Sequence, residues 1–154
     1  MPNHITNQKK KTELLAALPR LYEQNYHTLL QLIPELQNIK HQAKITLNNI
    51  EQLSITVLEQ CRYTTFINID HLLNNALLAD LSMTIRIYHD ARMAEVIRYQ
   101  NHGHFKPSYN YPNESMHQPL EKRQINLLFD DWLKHCLKIS HQQRAYKTQQ
   151  KSSS

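Results

Sequence analysis

Glycine is nearly missing from this chain: Gly103 is the one glycine in 154 residues. Phosphate-cradling loops and dinucleotide turns need glycine where the backbone curves tightly and comes close to a pyrophosphate, so a P-loop or Rossmann-type site is excluded. The GxSxG nucleophile elbow is excluded on the same ground. Cysteine is almost as scarce. Cys61 and Cys136 make no CxxC pair and no disulfide framework, which points to a reduced, cytoplasmic setting and to small apolar packing roles for both. No apolar run approaches the ~18 residues that a membrane-spanning helix needs, and the lysine-rich start is not followed by the apolar stretch of a secretory signal. A soluble protein with no membrane partner is expected.

Acidic residues are missing from both ends, and this decides how the net charge of +5 is read. Residues 1–11 carry three lysines and residues 141–154 carry Arg144, Lys147 and Lys151, with no Asp or Glu in either segment. What remains over residues 12–140 is 12 basic against 13 acidic side chains. The folded part is therefore not basic, and nucleic acid is a disfavoured partner. The expected organisation is a disordered basic N-terminus over 1–11, a single domain over 12–140 and a disordered tail over 141–154.

The hydrophobic pattern then gives the fold. Leu14, Leu15, Leu18, Leu21, Tyr22, Leu29 and Leu32 recur at helical spacing up to Pro34, and Pro19 predicts either one kinked helix or, as the preferred reading, a break between a short pre-helix over 12–17 and a main helix over 19–33. The period changes to two at Gln42, where Ala43, Ile45 and Leu47 alternate with polar neighbours. Leu53, Ile55 and Val57 continue the alternation, and Tyr63–Ile69 returns after a turn at Gln60-Cys61, placing Glu59 opposite Arg62. A second hairpin, Met83–Tyr88 and Met93–Tyr99 around the tip His89-Asp90-Ala91-Arg92, places Arg86 opposite Glu95 and Tyr88 opposite Met93. A loop over 101–118 leads to a last helix from Pro119, with Ile125, Leu128, Phe129, Trp132, Leu133 and Cys136 on one stripe, ending near Ser140. The fold class is α+β: a mainly antiparallel sheet of about five strands flanked by an N-terminal and a C-terminal helix.

Candidate chemistry is thin. The pair His102 and His104, with His89 and His117, lacks HExxH or CxxC spacing, so no metal and no cofactor is implied. His89 and Asp90 at a hairpin tip could act with Glu59 as acid and base, yet Asp at such a tip is ordinarily a turn residue. Aromatic and basic residues alternate along the strands, as in Arg62-Tyr63 and Arg86 with Tyr88, but without any RNP-like motif.

Certain blocks are distinctive: Asn25-Tyr26, Arg62-Tyr63-Thr64-Thr65, Ser82-Met83-Thr84, Tyr88-His89-Asp90-Ala91, Ala94-Glu95-Val96, Tyr111-Pro112-Asn113, His117-Gln118, Gln124-Ile125-Asn126 and Asp131-Trp132-Leu133. On these the chain resembles the bacterial YqiB-like family, a domain of unknown function, over most of residues 18–138. The resemblance implies no defined activity and a hint of a nucleotide-linked role. It singles out a polar set, Tyr63, Arg86, His89, Asp90, Glu95, Tyr111, Asn113, His117 and Gln118, as candidate ligand- or partner-binding residues. The expected function is that of a non-enzymatic binding or adaptor domain with no catalytic residue. Arg86 would anchor an unidentified protein partner or small anionic ligand between Tyr63 and Tyr111. A small enzyme acting on a nucleotide or phosphorylated metabolite through His89, Asp90 and Glu95 is the alternative, and single-stranded nucleic-acid binding the second.

Overall fold

The computed structural model describes residues 3–74, 79–101 and 119–152. In chain order these form α1 (Asn3–Leu32), a 3-10 turn (Leu36–Asn38), β1 (Gln42–Thr46), β2 (Glu51–Gln60), β3 (Thr64–Leu73), β4 (Leu81–Tyr88), β5 (Met93–Asn101) and α2 (Pro119–Ser152). The strands make one antiparallel sheet in sequence order, β1 to β5, each paired with the next. The α+β class and the two flanking helices are as the periodicity predicts.

One face of the sheet is the core. Leu53 and Ile55 from β2, Ile67 and Ile69 from β3, Leu81, Met83, Ile85 and Ile87 from β4, and Ala94 and Val96 from β5 are buried at the alternating positions a two-residue period requires. Against them lie Tyr26, Leu29 and Leu32 of α1, Ile33 just after it, and the whole predicted stripe of α2 from Ile125 to Cys136, all buried. The other face holds hydrogen-bonding side chains. Asn68 donates to Ser82 Oγ at 3.2 Å and accepts from Thr84 at 3.2 Å, and Gln42 donates to Ser54 Oγ at 3.2 Å.

The helices differ from expectation at three places. A single helical element runs through Pro19, where a break is predicted. Proline deletes one backbone bond and disfavours a helix interior by ~3 kcal/mol, but Pro19 faces solvent and the turns around it are held by burial of Leu18, Asn25 and Tyr26. Helix α1 also begins at Asn3, within the segment expected to be disordered, and α2 continues to Ser152, past the predicted end at Ser140. Residues 141–149 of α2 are almost all exposed, so no apolar stripe announces them.

The second hairpin has the predicted register, Arg86↔Glu95 and Tyr88↔Met93, and Arg92 closes its tip at φ 53°, the left-handed residue such loops need. The first hairpin corrects the prediction: Glu59 lies opposite Phe66, not Arg62. The strands separate at Cys61, whose N–H bonds Thr64 O at 2.8 Å, and a register shift between Val57 and Glu59 leaves Leu58 exposed. Two-residue periodicity does not see a bulge.

A second shift in β5 separates Ile85↔Val96 from Thr84↔Arg98, and Val96 is where the helices join the sheet. Val96 N–H donates to Asn126 Oδ1 at 2.9 Å, Asn126 Nδ2 donates to Lys122 O at 2.8 Å, and Asn25 Nδ2 donates to Asn126 O at 3.2 Å. Both asparagines are buried. Asn126→Ala would strand a buried N–H, and we expect a loss of about 1–3 kcal/mol by urea denaturation. The exposed change Asn38→Ala should alter stability by less than about 0.5 kcal/mol.

Candidate functional site

The hairpin-tip end of the core face carries a concavity that combines apolar walls with polar groups. It is a cavity of about 310 Å³ between the 3-10 turn and the first hairpin. Leu36, Ile39, Val57, Ile67 and Ile87 supply apolar wall, and Gln37, Gln60, Arg62, Thr65 and His89 the polar groups. His89 is positioned by the junction of the two hairpins, where its N–H donates to Tyr63 O at 2.9 Å. Its Nε2 lies 2.7 Å from Thr65 Oγ1, a buried hydroxyl at a core-facing position of β3. The Arg62 guanidinium lies 5.1 Å from the centroid of the Tyr63 ring, whose side chain is half exposed. The cavity thus offers a cation, an imidazole and a hydroxyl above hydrocarbon, the composition of a pocket for a small ligand with one polar end.

Cys61 sits on the rim, exposed, its Sγ 3.5 Å from Glu59 Oε1. The hydrogen bond to that carboxylate, with some burial, pushes its thiol pKa up, which opposes thiolate formation. Cys136, in the core, is pushed up further by desolvation.

Arg86 and Glu95 do not belong to this cavity. They alternate with Ile87, Ala94 and Val96 and so occupy the opposite face of the sheet. Tyr88 donates its hydroxyl proton to Glu95 Oε1 at 2.5 Å, Arg86 Nη1 reaches the Tyr88 oxygen at 3.1 Å, and Arg86 pairs with Glu95 at 3.6 Å. The guanidinium also lies 4.9 Å from the Phe66 ring centroid. Burial and the Glu95 carboxylate raise the hydroxyl pKa of Tyr88 and of Tyr22 from α1, so both stay protonated donors around one carboxylate. This cluster ties β4, β5 and α1 together.

Of the nine candidate residues, then, His89 lines the cavity, Tyr63 stands beside it through Arg62, and Asp90 is exposed at the tip. Arg86 and Glu95 pair on the other face. Tyr111, Asn113, His117 and Gln118 lie outside the described residues. His89, Asp90 and Glu95 do not converge as an acid–base set. Among the described residues no group of three His, Cys, Asp or Glu side chains could hold a metal ion, and no helix is long and apolar enough to cross a membrane.

The sequence reading passed over two features. Thr65 and Arg62 are wall residues whose signal was available, since Thr65 shares the parity of Ile67 and Ile69. His71 continues that parity beyond the predicted strand end. It is buried, and its Nδ1 accepts the Trp132 indole N–H at 3.1 Å while Nε2 faces Glu51 Oε1 at 3.2 Å. Because indole nitrogen only donates, the ring proton sits on Nε2.

With the geometry in place, comparison with known proteins gives the relationship. The family model described as "Protein of unknown function (DUF1249)" matches residues 28–142. The chain belongs to this family. The proteins named "Uncharacterized protein YqiB" from Escherichia coli strain K12 and from strain O157:H7 are each 38% identical over 130 residues, covering 84% of this chain and 92% of theirs. No solved structure matches significantly. The match takes in the cavity, the Arg86–Glu95 pair and the His71–Trp132 contact, and leaves out most of α1.

Burial lowers the His71 pKa from its ordinary 6.5, outweighing the carboxylates of Glu51 and Asp80, which raise it. The unfolded chain therefore binds more protons below about pH 6.5 than the folded one, so stability is full above that pH and falls on acidification. Urea denaturation should show His71→Gln less stable at pH 8 by about 1–3 kcal/mol. Its stability should also fall less than the wild type's between pH 6.5 and 5, the ceiling on the difference being about 1.4 kcal/mol per pH unit.

Proposed function

We propose that the protein is a non-enzymatic, cytoplasmic binding or adaptor domain whose cavity between the 3-10 turn and the first hairpin takes a small anionic ligand or an anionic group of a protein partner. The observation that carries this reading is the composition of that cavity. Five aliphatic side chains form its wall, and Arg62, His89 and Thr65 meet at its polar side. Arg62 anchors the anion, because a guanidinium matches a carboxylate or phosphate with paired donors. His89 and the Thr65 hydroxyl add hydrogen bonds, and the aliphatic wall selects an apolar body.

The anchor is thereby moved from Arg86 to Arg62. Arg86 has its compensating charge in Glu95 and an aromatic face in Phe66, and a guanidinium already paired gives an incoming anion little advantage. The enzyme reading draws no support from a Glu95 carboxylate that pairs with Arg86 away from His89, and the nucleic-acid reading draws none from residues 12–140, which carry 13 acidic against 12 basic side chains.

Titration of the isotopically labelled protein with benzoate and isovalerate, with acetate and inorganic phosphate as comparators, tests this. The two apolar carboxylates should shift the amide resonances of Thr65, Ile67, Ile87 and His89, and Arg62→Ala should weaken them at least tenfold. Arg86→Ala should leave the affinity unchanged while lowering stability by about 1 kcal/mol, since its partner carboxylate keeps both tyrosine hydroxyls. No shift at the cavity amides with any of the four anions would overturn the reading.

A further inference from the structure

Strand β2 is longer than its neighbour. Pairing of β1 with β2 ends at Gln42↔Thr56, with one further bond from Val57 N to His41 O at 2.8 Å, while β2 runs on to Gln60. Among the described residues no strand lies beside Leu58–Gln60 on that side. Backbone groups of an antiparallel strand alternate between its two edges. The N–H of Cys61 points to β3, where it bonds Thr64 O, so the N–H and C=O of Gln60 point to the open edge. Gln60 also lines the cavity, together with Gln37 and Ile39 across from it. A free strand edge, an apolar recess and a cation therefore meet at one place.

Deepening the binding reading given above, and resting on it, we propose that the occupant is the extended C-terminal end of a peptide. Its backbone adds to the free edge of β2 at Gln60, its last apolar side chain enters the recess, and its terminal carboxylate meets Arg62. Main-chain pairing at a sheet edge with a pocket for alternate side chains is a general mode of peptide capture. The cavity, at about 310 Å³, is at the small end of ligand sites, which run to ~300–1000 Å³. That size suits the end of a chain better than a whole metabolite. The exposed side chains of Leu58 and Tyr63 flank the site and extend apolar contact along the peptide. Arg62 supplies the complementary charge, no acidic side chain is among the cavity's lining residues, and nearby Glu59 accepts from Cys61.

The test uses an array of random-sequence hexapeptides made both with free C-terminal carboxylates and as C-terminal amides, bound to the full chain. A subset with an apolar last residue should bind as acids at least tenfold more tightly than as amides, and should shift the amides of Gln37, Gln60 and Thr65. N-methylation of the peptide backbone should weaken binding at least tenfold with no change to the protein. Gln60→Pro, which removes the outward N–H together with the Gln60 side chain, should do the same, and Gln60→Ala, which keeps the N–H, should weaken binding less. Equal binding of acids and amides, or insensitivity to N-methylation, would overturn the proposal. So would a peptide array that stays silent while benzoate or isovalerate fills the cavity, although the small-anion reading would then stand. If neither peptides nor the small carboxylates bind, both fall.

Discussion

The hydrogen bond from the Val96 N–H to the side chain of Asn126 is the constraint on which the arrangement of helices and sheet depends. Strand β5 is an edge strand, and its register shift leaves a backbone donor at Val96 inside the packed layer rather than on a neighbouring strand. A buried donor without a partner costs roughly 1–3 kcal/mol, a large fraction of a domain's net stability. Asn126 meets that donor, and Asn25 bonds its backbone oxygen. Three elements thus share one set of polar contacts inside a largely apolar core. Hydrocarbon packing allows many sliding arrangements of a helix on a sheet, whereas these bonds fix the axial position of α2 and, through it, of α1.

The placement of the helices determines what each face of the sheet can do. With α1 and α2 packed against the face that carries Leu53, Ile69, Ile85 and Val96, the middle of the other face is covered by its own hydrogen bonds among Asn68, Ser82 and Thr84. The helices do not reach the hairpin-tip corner, where the 3-10 turn after Pro34 approaches the first hairpin without filling the space. The cavity is the gap between a helix end that proline fixes and a hairpin that outlasts its neighbour. Its polar residues stand at strand ends, where core parity gives way to turn, and this is why they can be polar at all.

The same logic explains what was legible in the sequence. Alternation located all five strands, and the helical stripe from Ile125 to Cys136 was complete, because burial on one face is a property of single residues in order. The Arg86↔Glu95 register was legible because the tip is short and the first few pairs precede the shift at Thr84. The first hairpin was misread at Glu59 because a bulge changes register without changing composition. Pro19 misled because tertiary burial on both sides outweighed a local preference.

The candidate site was less legible, for a reason that concerns faces rather than distances. Arg86 and His89 are three residues apart and look adjacent in the sequence, yet one lies at an even strand position and the other beyond the strand end, folded back onto Thr65. Polar residues near a hairpin tip can therefore belong to opposite sides of the sheet, and only parity separates them. Arg86 carries a charge that Glu95 answers, and its guanidinium lies over the Phe66 ring. Arg62 rests on the open ring of Tyr63 beside an aliphatic recess and an unpaired strand edge, so its surroundings gain from an added carboxylate. In a sheet with one covered face, the informative cation is the one at the end of the core rather than the one in the middle of the polar side.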